Sequence, residues 1–174
     1  SYKGIAMSLN EIKPYTCYNN DYIKDVTIDI TGDIPNECFY SCSAIEKATI
    51  TAETIGPSAF KSSATENPAT FDINATTINE NAFNGCSAIE KATLGDNLKS
   101  IGSSAFYDTG YYKNSANWEN KVLYIGNHLI DVKTSISGAY TIKNGTKTIA
   151  DSAFSWCTSL TSITIPDSVT SIGS

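Results

Sequence analysis

Aliphatic and polar residues alternate along the chain in short stretches, each followed by turn-forming residues. The most regular stretch covers residues 160–172. From Ile163 to Ile165 the alternation has a period of two, which is typical of a β-strand with one buried face. Pro166 and Asp167 then end the strand, because proline cannot donate to a ladder and favours a turn. A second short extended segment is expected around Val169–Ile172.

The same pattern recurs with a period near 23 residues. An aliphatic residue is followed four and five positions later by a small residue and Phe in copies that begin at Ile34, Ile55, Ile78, Ile101 and Ile149. The interval before Ile149 is 48 residues, which is one period plus an insertion of about one more. A weaker copy begins at Ile12, and another begins at Ile172 and is truncated at Ser174. The eight residues at 42–49 recur identically at 86–93, so we interpret the chain as a tandem repeat.

A single repeat of this length cannot bury its own apolar residues, whereas stacked repeats can. We therefore predict a mainly β repeat solenoid of the leucine-rich-repeat type. Parallel β ladders alternate in it with short turns or single helical turns. Its core spine is expected to consist of Phe39, Phe60, Phe83, Phe106 and Phe154. Truncation of a core Phe to Ala typically costs about 3–5 kcal/mol.

The long interval predicts a β-hairpin inserted in the solenoid. Two apolar runs, 122–125 and 128–132, flank the turn-forming pair Gly126 and Asn127. We expect one solenoid domain over residues 1–174. It comprises a degenerate first repeat at about 1–33, regular repeats at about 34–106, the insertion with its hairpin at about 107–138, and final repeats at about 139–174, of which the last is truncated.

The repeat unit resembles the BspA-type leucine-rich repeat. The resemblance rests on the aliphatic spacing of residues 160–172, on Ile101-Gly102-Ser103-Ser104-Ala105-Phe106, and on the Cys three residues after the repeat Phe. Proteins of this family are mostly secreted or surface-anchored proteins of host-associated bacteria and some parasitic protists. The resemblance implies a secreted or cell-surface location. It also implies an adhesion or protein-binding role, with a host or neighbouring-cell surface protein or glycoprotein as partner.

Charge and cysteine usage narrow the function classes. The net charge is −6, with twelve Lys and no Arg, which argues against nucleic-acid binding and docking on anionic lipid. No stretch has the 18 or so apolar residues of a membrane span, so direct membrane insertion is not expected. Cys42, Cys86 and Cys157 occupy a position where other copies carry Ser63 or Thr109. That position is expected to hold a small, weakly polar residue packed near the backbone of a turn.

Catalytic chemistry has little support in the sequence. His128 is the single histidine, and no cysteine lies near it in a nucleophile motif. We interpret it as an ordinary strand residue. One His without a Cys-x-x-Cys pair also makes a zinc site improbable, and the acidic residues are scattered. The prediction is a protein that is not an enzyme and has no cofactor.

Two surfaces are candidates for partner binding. The strand residues that alternate with buried aliphatics form a predicted Thr-rich face that includes Lys47, Thr49, Asp72, Lys91, Thr93, Thr141, Ser162 and Thr164. Tyr111, Tyr112 and Trp118 lie in the insertion, where they either anchor a partner or pack over the hairpin. Self-association through an open solenoid end is also expected. The alternative functions are a passive stalk of a larger surface protein, or a carbohydrate-binding module that uses the insertion aromatics.

Overall fold

The computed structural model describes residues 12–174, which form a mainly β solenoid of stacked coils. The first eleven residues of the predicted degenerate repeat lie outside the described residues. The strands are β1 (Asp25–Asp29), β2 (Asp33–Ile34), β3 (Lys47–Ile55), β4 (Ala69–Ile78), β5 (Ile89–Leu94), β6 (Ser100–Ile101), β7 (Trp118–Glu119), β8 (Val122–Ile125), β9 (His128–Val132), β10 (Gly138–Thr141), β11 (Thr148–Ile149), β12 (Leu160–Thr164) and β13 (Ser171–Ile172). A short helix, α1 (Gly110–Lys113), and a 3-10 helix, Ser115–Asn117, lie in the insertion.

The largest sheet is parallel and joins successive coils in the order β1-β3-β4-β5. Val26, Ala48, Phe71 and Ala92 are cross-strand neighbours in it and point towards the core. β2 and β6 extend the sheet along the far ends of β3 and β4. The predicted parallel ladder of a leucine-rich-repeat solenoid is therefore confirmed.

Two coils contain one long strand where the others contain two short ones. β3 and β4 run 9 and 10 residues without interruption, through Ile50 and Ile73 respectively. In these coils the segment before the repeat Ile is two residues shorter than in the regular copy. No residues are left for a separate turn, so the backbone continues in the extended conformation. In the next coil Gly95 follows Leu94, and the strand breaks into β5 and β6.

The turn that follows each repeat Ile is not helical, although a single helical turn was one of the two expected forms. Each of these turns contains two residues in the left-handed region, for example Ser58 at φ 55° and Ser62 at φ 58°. Alternate amides leave the turn and donate to the next coil: Ser58 N to Glu80 O over 3.1 Å, and Ser62 N to Asn84 O over 2.8 Å. The turn edge is thus a second hydrogen-bonded stack, alongside the sheet.

Four of the five predicted spine residues form a stacked row in the core. The ring centroids of Phe39 and Phe60 are 4.8 Å apart, those of Phe60 and Phe83 are 5.4 Å apart, and those of Phe83 and Phe106 are 5.2 Å apart. The prediction was wrong for Phe154, which is only partly buried. It lies in the last of the described turns that follow a repeat Ile, and the insertion stands between its copy and that of Phe106 in the sequence.

Phe71 of β4 was missing from the predicted spine. Its ring packs edge-on against both Phe60 and Phe83, with centroid distances of 5.9 and 5.8 Å. Its strand neighbours at the same level are Ala48 and Ala92. These small side chains leave room in the core for the single large ring.

At three of the copies, the repeated Cys/Ser position ties the turn to the coil before it. The Cys86 thiol donates to the carbonyl oxygen of Phe60 over 2.9 Å, and the Ser63 hydroxyl donates to that of Phe39 over 2.6 Å. Cys42 donates in the same way to the carbonyl of Cys17 over 2.8 Å. The prediction of a small, weakly polar residue packed against turn backbone is confirmed at these positions.

The insertion enters the stack as an additional coil. β8 and β9 form the predicted hairpin around Gly126 and Asn127, and β7 adds a third antiparallel strand that was not predicted. β9 also pairs in parallel with β11, so that His128 lies beside Thr148. β11 in turn pairs with β13. The solenoid therefore resumes on the hairpin and also contacts the preceding regular coil, where Asp151 N donates to the carbonyl of Ile101 over 2.8 Å.

Candidate functional site

The first predicted surface is well formed on the sheet β1-β3-β4-β5, and we call its outward side the strand face. Its first row crosses the strands as Asp25, Lys47, Thr70 and Lys91. Its second row follows the same strands as Thr27, Thr49, Asp72 and Thr93. All of these side chains are exposed except Asp25, which is partly buried. Neighbouring strands are about 4.8 Å apart, so the face is about 14 Å wide across the four strands.

The strand face has a mixed charge and a fixed geometry. Lys47 and Lys91 lie two strands apart, with Thr70 between them. Asp72 lies in the adjacent row, where the hydroxyl of Thr93 donates to its carboxylate over 2.5 Å. The parallel register holds these groups at the spacing of the strands. The face therefore offers cations, carboxylates and hydroxyls in a repeating order to an extended partner.

The predicted face is not continuous, and this part of the prediction was wrong. Thr141, Ser162 and Thr164 belong to a separate two-stranded sheet, β10-β12. The cause is the insertion: α1 and β8 pack beside β5, where the next parallel strand would otherwise pair. All three residues are exposed. The structure thus divides the eight candidate strand residues into a group of five and a group of three.

The aromatic residues of the insertion pack over the hairpin, which is one of the two arrangements expected for them. The Tyr111 hydroxyl donates to the carbonyl of Tyr124 over 2.9 Å. The Trp118 indole N–H donates to the carbonyl of Tyr112 over 2.7 Å, and the two rings are in edge contact at 5.0 Å. Lys133 lies 4.7 Å above the Trp118 ring. These contacts hold α1 and β7 against the hairpin.

Other aromatic residues are more exposed, and the sequence reasoning missed them. Four of them lie in the turns that follow a repeat Ile: Tyr15, Tyr18, Tyr107 and Trp156. The fifth, Tyr22, lies just before β1. Tyr18 stacks on Tyr40 of the next coil at 5.2 Å. The signal was available in the repeat, because Tyr18, Tyr40 and Tyr107 share the position directly after the inward Phe or its Cys equivalent. In these turns, the residue directly after an inward side chain directs its own side chain towards solvent.

The last coil exposes apolar residues whose equivalents are buried elsewhere. Ile163, Ile165 and Ile172 are 40%, 47% and 57% exposed, whereas Ile50 and Ile55 are fully buried. Trp156 of the same coil is 84% exposed. Self-association through this end stays a prediction.

His128 is a buried residue of β9, as expected of an ordinary strand position. Its Nδ1 lies 2.8 Å from the hydroxyl of Thr148, the residue beside it on β11. Burial lowers the pKa of the imidazole. Over residues 12–174, the side chains of His, Cys, Asp and Glu form no group of three that could hold a metal ion.

The described cysteines are buried, and burial governs their acidity. It raises the pKa of Cys42 to about 11 and that of Cys38 to about 12. The thiolate is the reactive form of cysteine, so these groups are poor nucleophiles near neutral pH.

Comparison with protein families decides the affiliation. The model of the BspA-type leucine-rich repeat region matches residues 10–137 and 132–174, in six copies. The chain belongs to the BspA-type leucine-rich repeat family. Leucine-rich repeat regions of this kind are generally non-catalytic scaffolds. Within residues 12–174 no helix has the length and apolarity that a membrane span requires.

Comparison with individual proteins adds little to the family result. No curated protein matches this BspA-type chain. A solved structure that matches is a leucine rich cell surface protein from Faecalibacterium prausnitzii, which is 22% identical, with a TM-score of 0.34. The match covers 97% of this chain and 60% of the other, so the chain spans less than two thirds of the length of that protein.

Proposed function

We propose that this chain is a secreted or cell-surface protein-binding module that holds its partner on the strand face. The observation that carries the proposal is the pair of cross-strand rows that contain Lys47, Lys91, Thr49, Asp72 and Thr93. Solenoids use extended repeated surfaces of this kind for protein partners. The location and the adhesion role follow from what the BspA-type family implies.

The strand face suits a protein partner because it is already ordered before binding. Thr has a short side chain with few rotamers, so holding it in an interface costs less conformational entropy than holding a long side chain. The interspersed Lys and Asp offer charge complementarity, which contributes specificity and on-rate. A surface protein or glycoprotein of a host or of a neighbouring cell is the partner class that we propose.

The test measures binding to a panel of purified extracellular-matrix glycoproteins by surface plasmon resonance. Thr49→Trp places a bulky side chain in the middle of the strand face, whereas Thr164→Trp places the same side chain on the separate sheet. Both residues are exposed strand threonines, so the pair is matched. We expect Thr49→Trp to weaken binding at least about tenfold, or about 1.4 kcal/mol, and Thr164→Trp to leave it unchanged.

Two results would overturn the proposal. Saturable binding that both variants retain would remove the strand face from the interface. The absence of saturable binding to every member of the panel, and to partner cells, would favour the alternative function, a passive stalk that spaces other domains.

A further inference from the structure

In the described part of the chain, the strand β10 has a paired neighbour on one side only, which is β12. Alternate amides of β10 donate to that neighbour's side. Gly138 N donates to Ser159 O and Ile142 N donates to Thr164 O, both over 3.0 Å. In a parallel ladder the main-chain groups of the residues in between point the other way. β10 therefore presents a second edge, which we call the free edge.

The free edge consists of the main-chain groups of Ala139 and Thr141. Lys143 N, the next amide in the same series, donates to the hydroxyl of Tyr124 in the hairpin over 3.3 Å, which shows the direction of this edge. Over residues 12–174, the amides of Ala139 and Thr141 have no hydrogen-bond acceptor. Both residues are exposed. Donors and acceptors on this edge are thus available to another main chain.

Tyrosine side chains separate the hairpin from β10 at one end of the free edge. The hydroxyls of Tyr124 and Tyr140 lie 2.9 Å apart, so the side chains of β8 and β10 meet tip to tip. Paired strands are about 4.8 Å apart, and these two strands are therefore too far from each other to pair. The space between them is the reason that the free edge stays without a neighbour.

A groove of about 340 Å³ lies along the free edge near Gly138. Ile136 and Tyr140 line it with apolar surface, Ala139 brings the free edge to it, and Lys121 enters from the turn between β7 and β8. Nothing lies within 4 Å of the position that a Cβ of Gly138 would take. The backbone of another polypeptide can therefore approach β10 closely here.

The groove also carries positive charge that no described carboxylate compensates. The ammonium of Lys121 donates to the carbonyl of Ser135 over 2.6 Å and forms no ion pair among the described residues. Lys133, whose amide donates to the carbonyl of Lys121 over 2.9 Å, holds its ammonium over an aromatic ring. Glu119 of β7 is already paired with Lys143 at 3.1 Å. An acidic group is therefore favoured in this place.

We propose that the groove binds an extended segment of another polypeptide, which adds a strand to the free edge of β10 and pairs an Asp or Glu side chain with Lys121. Amides and carbonyls of the segment bond to the carbonyls and amides of Ala139 and Thr141. In recognition by strand addition, main-chain bonds supply affinity and side-chain contacts supply specificity. Here the specificity comes from the charge of Lys121 and from the apolar contact with Ile136 and Tyr140.

This site is separate from the strand face and does not rest on the proposed function. The probe for it is the blocked pentapeptide acetyl-Thr-Val-Glu-Val-Thr-amide, because Thr and Val favour the extended conformation. One control is acetyl-Thr-Val-Lys-Val-Thr-amide, which reverses the charge. The other is the Glu peptide with its three central amides N-methylated, which keeps the charge and loses main-chain donors.

The readout is the ¹⁵N–¹H chemical shifts of the Ala139 and Thr141 amides in the full chain. We expect saturable shifts of both with the Glu peptide, and an affinity at least about tenfold above that of either control peptide. Hydrogen exchange of these two amides should also slow in the complex, because the added strand accepts from them.

Two variants test the role of the charge. Lys121→Gln removes the positive charge from the groove and keeps a polar side chain. Lys99→Gln removes another exposed positive charge, next to β6, as a matched control. The expected result is an affinity for the Glu peptide at least about threefold lower in Lys121→Gln and unchanged in Lys99→Gln.

Several results would overturn the inference. Unmoved Ala139 and Thr141 amides would show that no strand is added to β10. Equal affinity for the methylated peptide would show that main-chain bonds do not hold the segment, and equal affinity for the Lys peptide would remove the acidic requirement. Equal losses in both Gln variants would indicate unspecific charge attraction. Thr49→Trp is expected to retain Glu-peptide binding, so failure of this site and failure of the strand face are distinguishable.

Discussion

The thiol of Cys86 donates a hydrogen bond to the main-chain carbonyl of Phe60 across the interface between two coils, over 2.9 Å. Ser63 makes the equivalent bond to Phe39 with its hydroxyl over 2.6 Å. The position therefore selects a small side chain with a polar hydrogen, and Cys and Ser both satisfy this requirement.

We expect Cys86→Ser to lower the free energy of unfolding by less than about 1 kcal/mol, because the hydroxyl can make the same bond. Cys86→Val loses the donor and adds volume to a fully buried site, for an expected cost of about 2 kcal/mol or more. Urea unfolding followed by circular dichroism measures both values. If the Val variant were as stable as the Ser variant, the thiol would be acting only as an apolar filler.

The raised thiol pKa values predict a loss of stability in alkaline solution. In the unfolded chain thiols ionise near pH 9, whereas folding holds the pKa of Cys42 at about 11. Above pH 9 the unfolded state therefore binds fewer protons, and the free energy of unfolding falls by up to about 1.4 kcal/mol per pH unit for each such group. The effect is absent below pH 9 and is largest between pH 9 and about 11.

The control for this prediction is Cys42→Ser, which removes one titrating thiol and keeps a hydroxyl donor for the Cys17 carbonyl. Stability between pH 8 and 11 is expected to fall less steeply in the variant than in the wild-type chain. Identical slopes would mean that Cys42 has the same pKa in the folded and unfolded states.

The stacked row of phenylalanines predicts unequal costs of truncation along the solenoid. Phe83→Ala removes a ring that packs against Phe60, Phe71 and Phe106, and we expect it to cost about 3–5 kcal/mol. Phe154→Ala removes the same ring from a partly buried site and should cost clearly less. Chemical denaturation of the two variants measures the difference. Equal costs would contradict the burial of these two side chains in the structure.

The buried imidazole of His128 predicts a loss of stability in mildly acidic solution. Burial lowers its pKa below the ordinary value near 6.5, so the unfolded chain binds a proton below that pH which the folded chain does not. The free energy of unfolding should therefore decrease as the pH falls from about 6.5. His128 is the single histidine, so its ¹H NMR titration is unambiguous.

His128→Gln is the matched control, because its side chain is uncharged at every pH. The decrease in stability between pH 7 and pH 5.5 is expected to be smaller in this variant than in the wild-type chain. A folded-state His128 that titrates at or above 6.5 would contradict the prediction.

Much of the fold was predictable because the repeat aligns equivalent residues. The spacing of Ile55, Ile78 and Ile101 fixed the coil length, and each inward Phe followed five positions later. The turn conformation was not predictable in the same way. Its left-handed positions are occupied by residues as different as Ser58 and Trp156, and the stacking hydrogen bonds stabilise that backbone in place of Gly.

The candidate surfaces were harder to predict, since they depend on how the insertion packs. The alternation in β3 and β5 correctly placed Lys47 and Lys91 on the outside. Nothing in the local pattern of Thr141 or Thr164 indicated that their sheet would be separate. That division follows from tertiary packing of α1 and β8 against β5.

Lysine footprinting of the bound chain tests most directly whether the strand face holds a partner. The wild-type protein is acetylated with a limiting reagent, with and without a saturating matrix glycoprotein, and each lysine is quantified by mass spectrometry. We predict that the partner slows modification of Lys47 and Lys91. Lys121 and Lys147, which are also exposed but lie off the face, should react at unchanged rates. Protection confined to Lys121, Lys147 or other lysines off the face, with Lys47 and Lys91 fully reactive in the complex, would contradict the account.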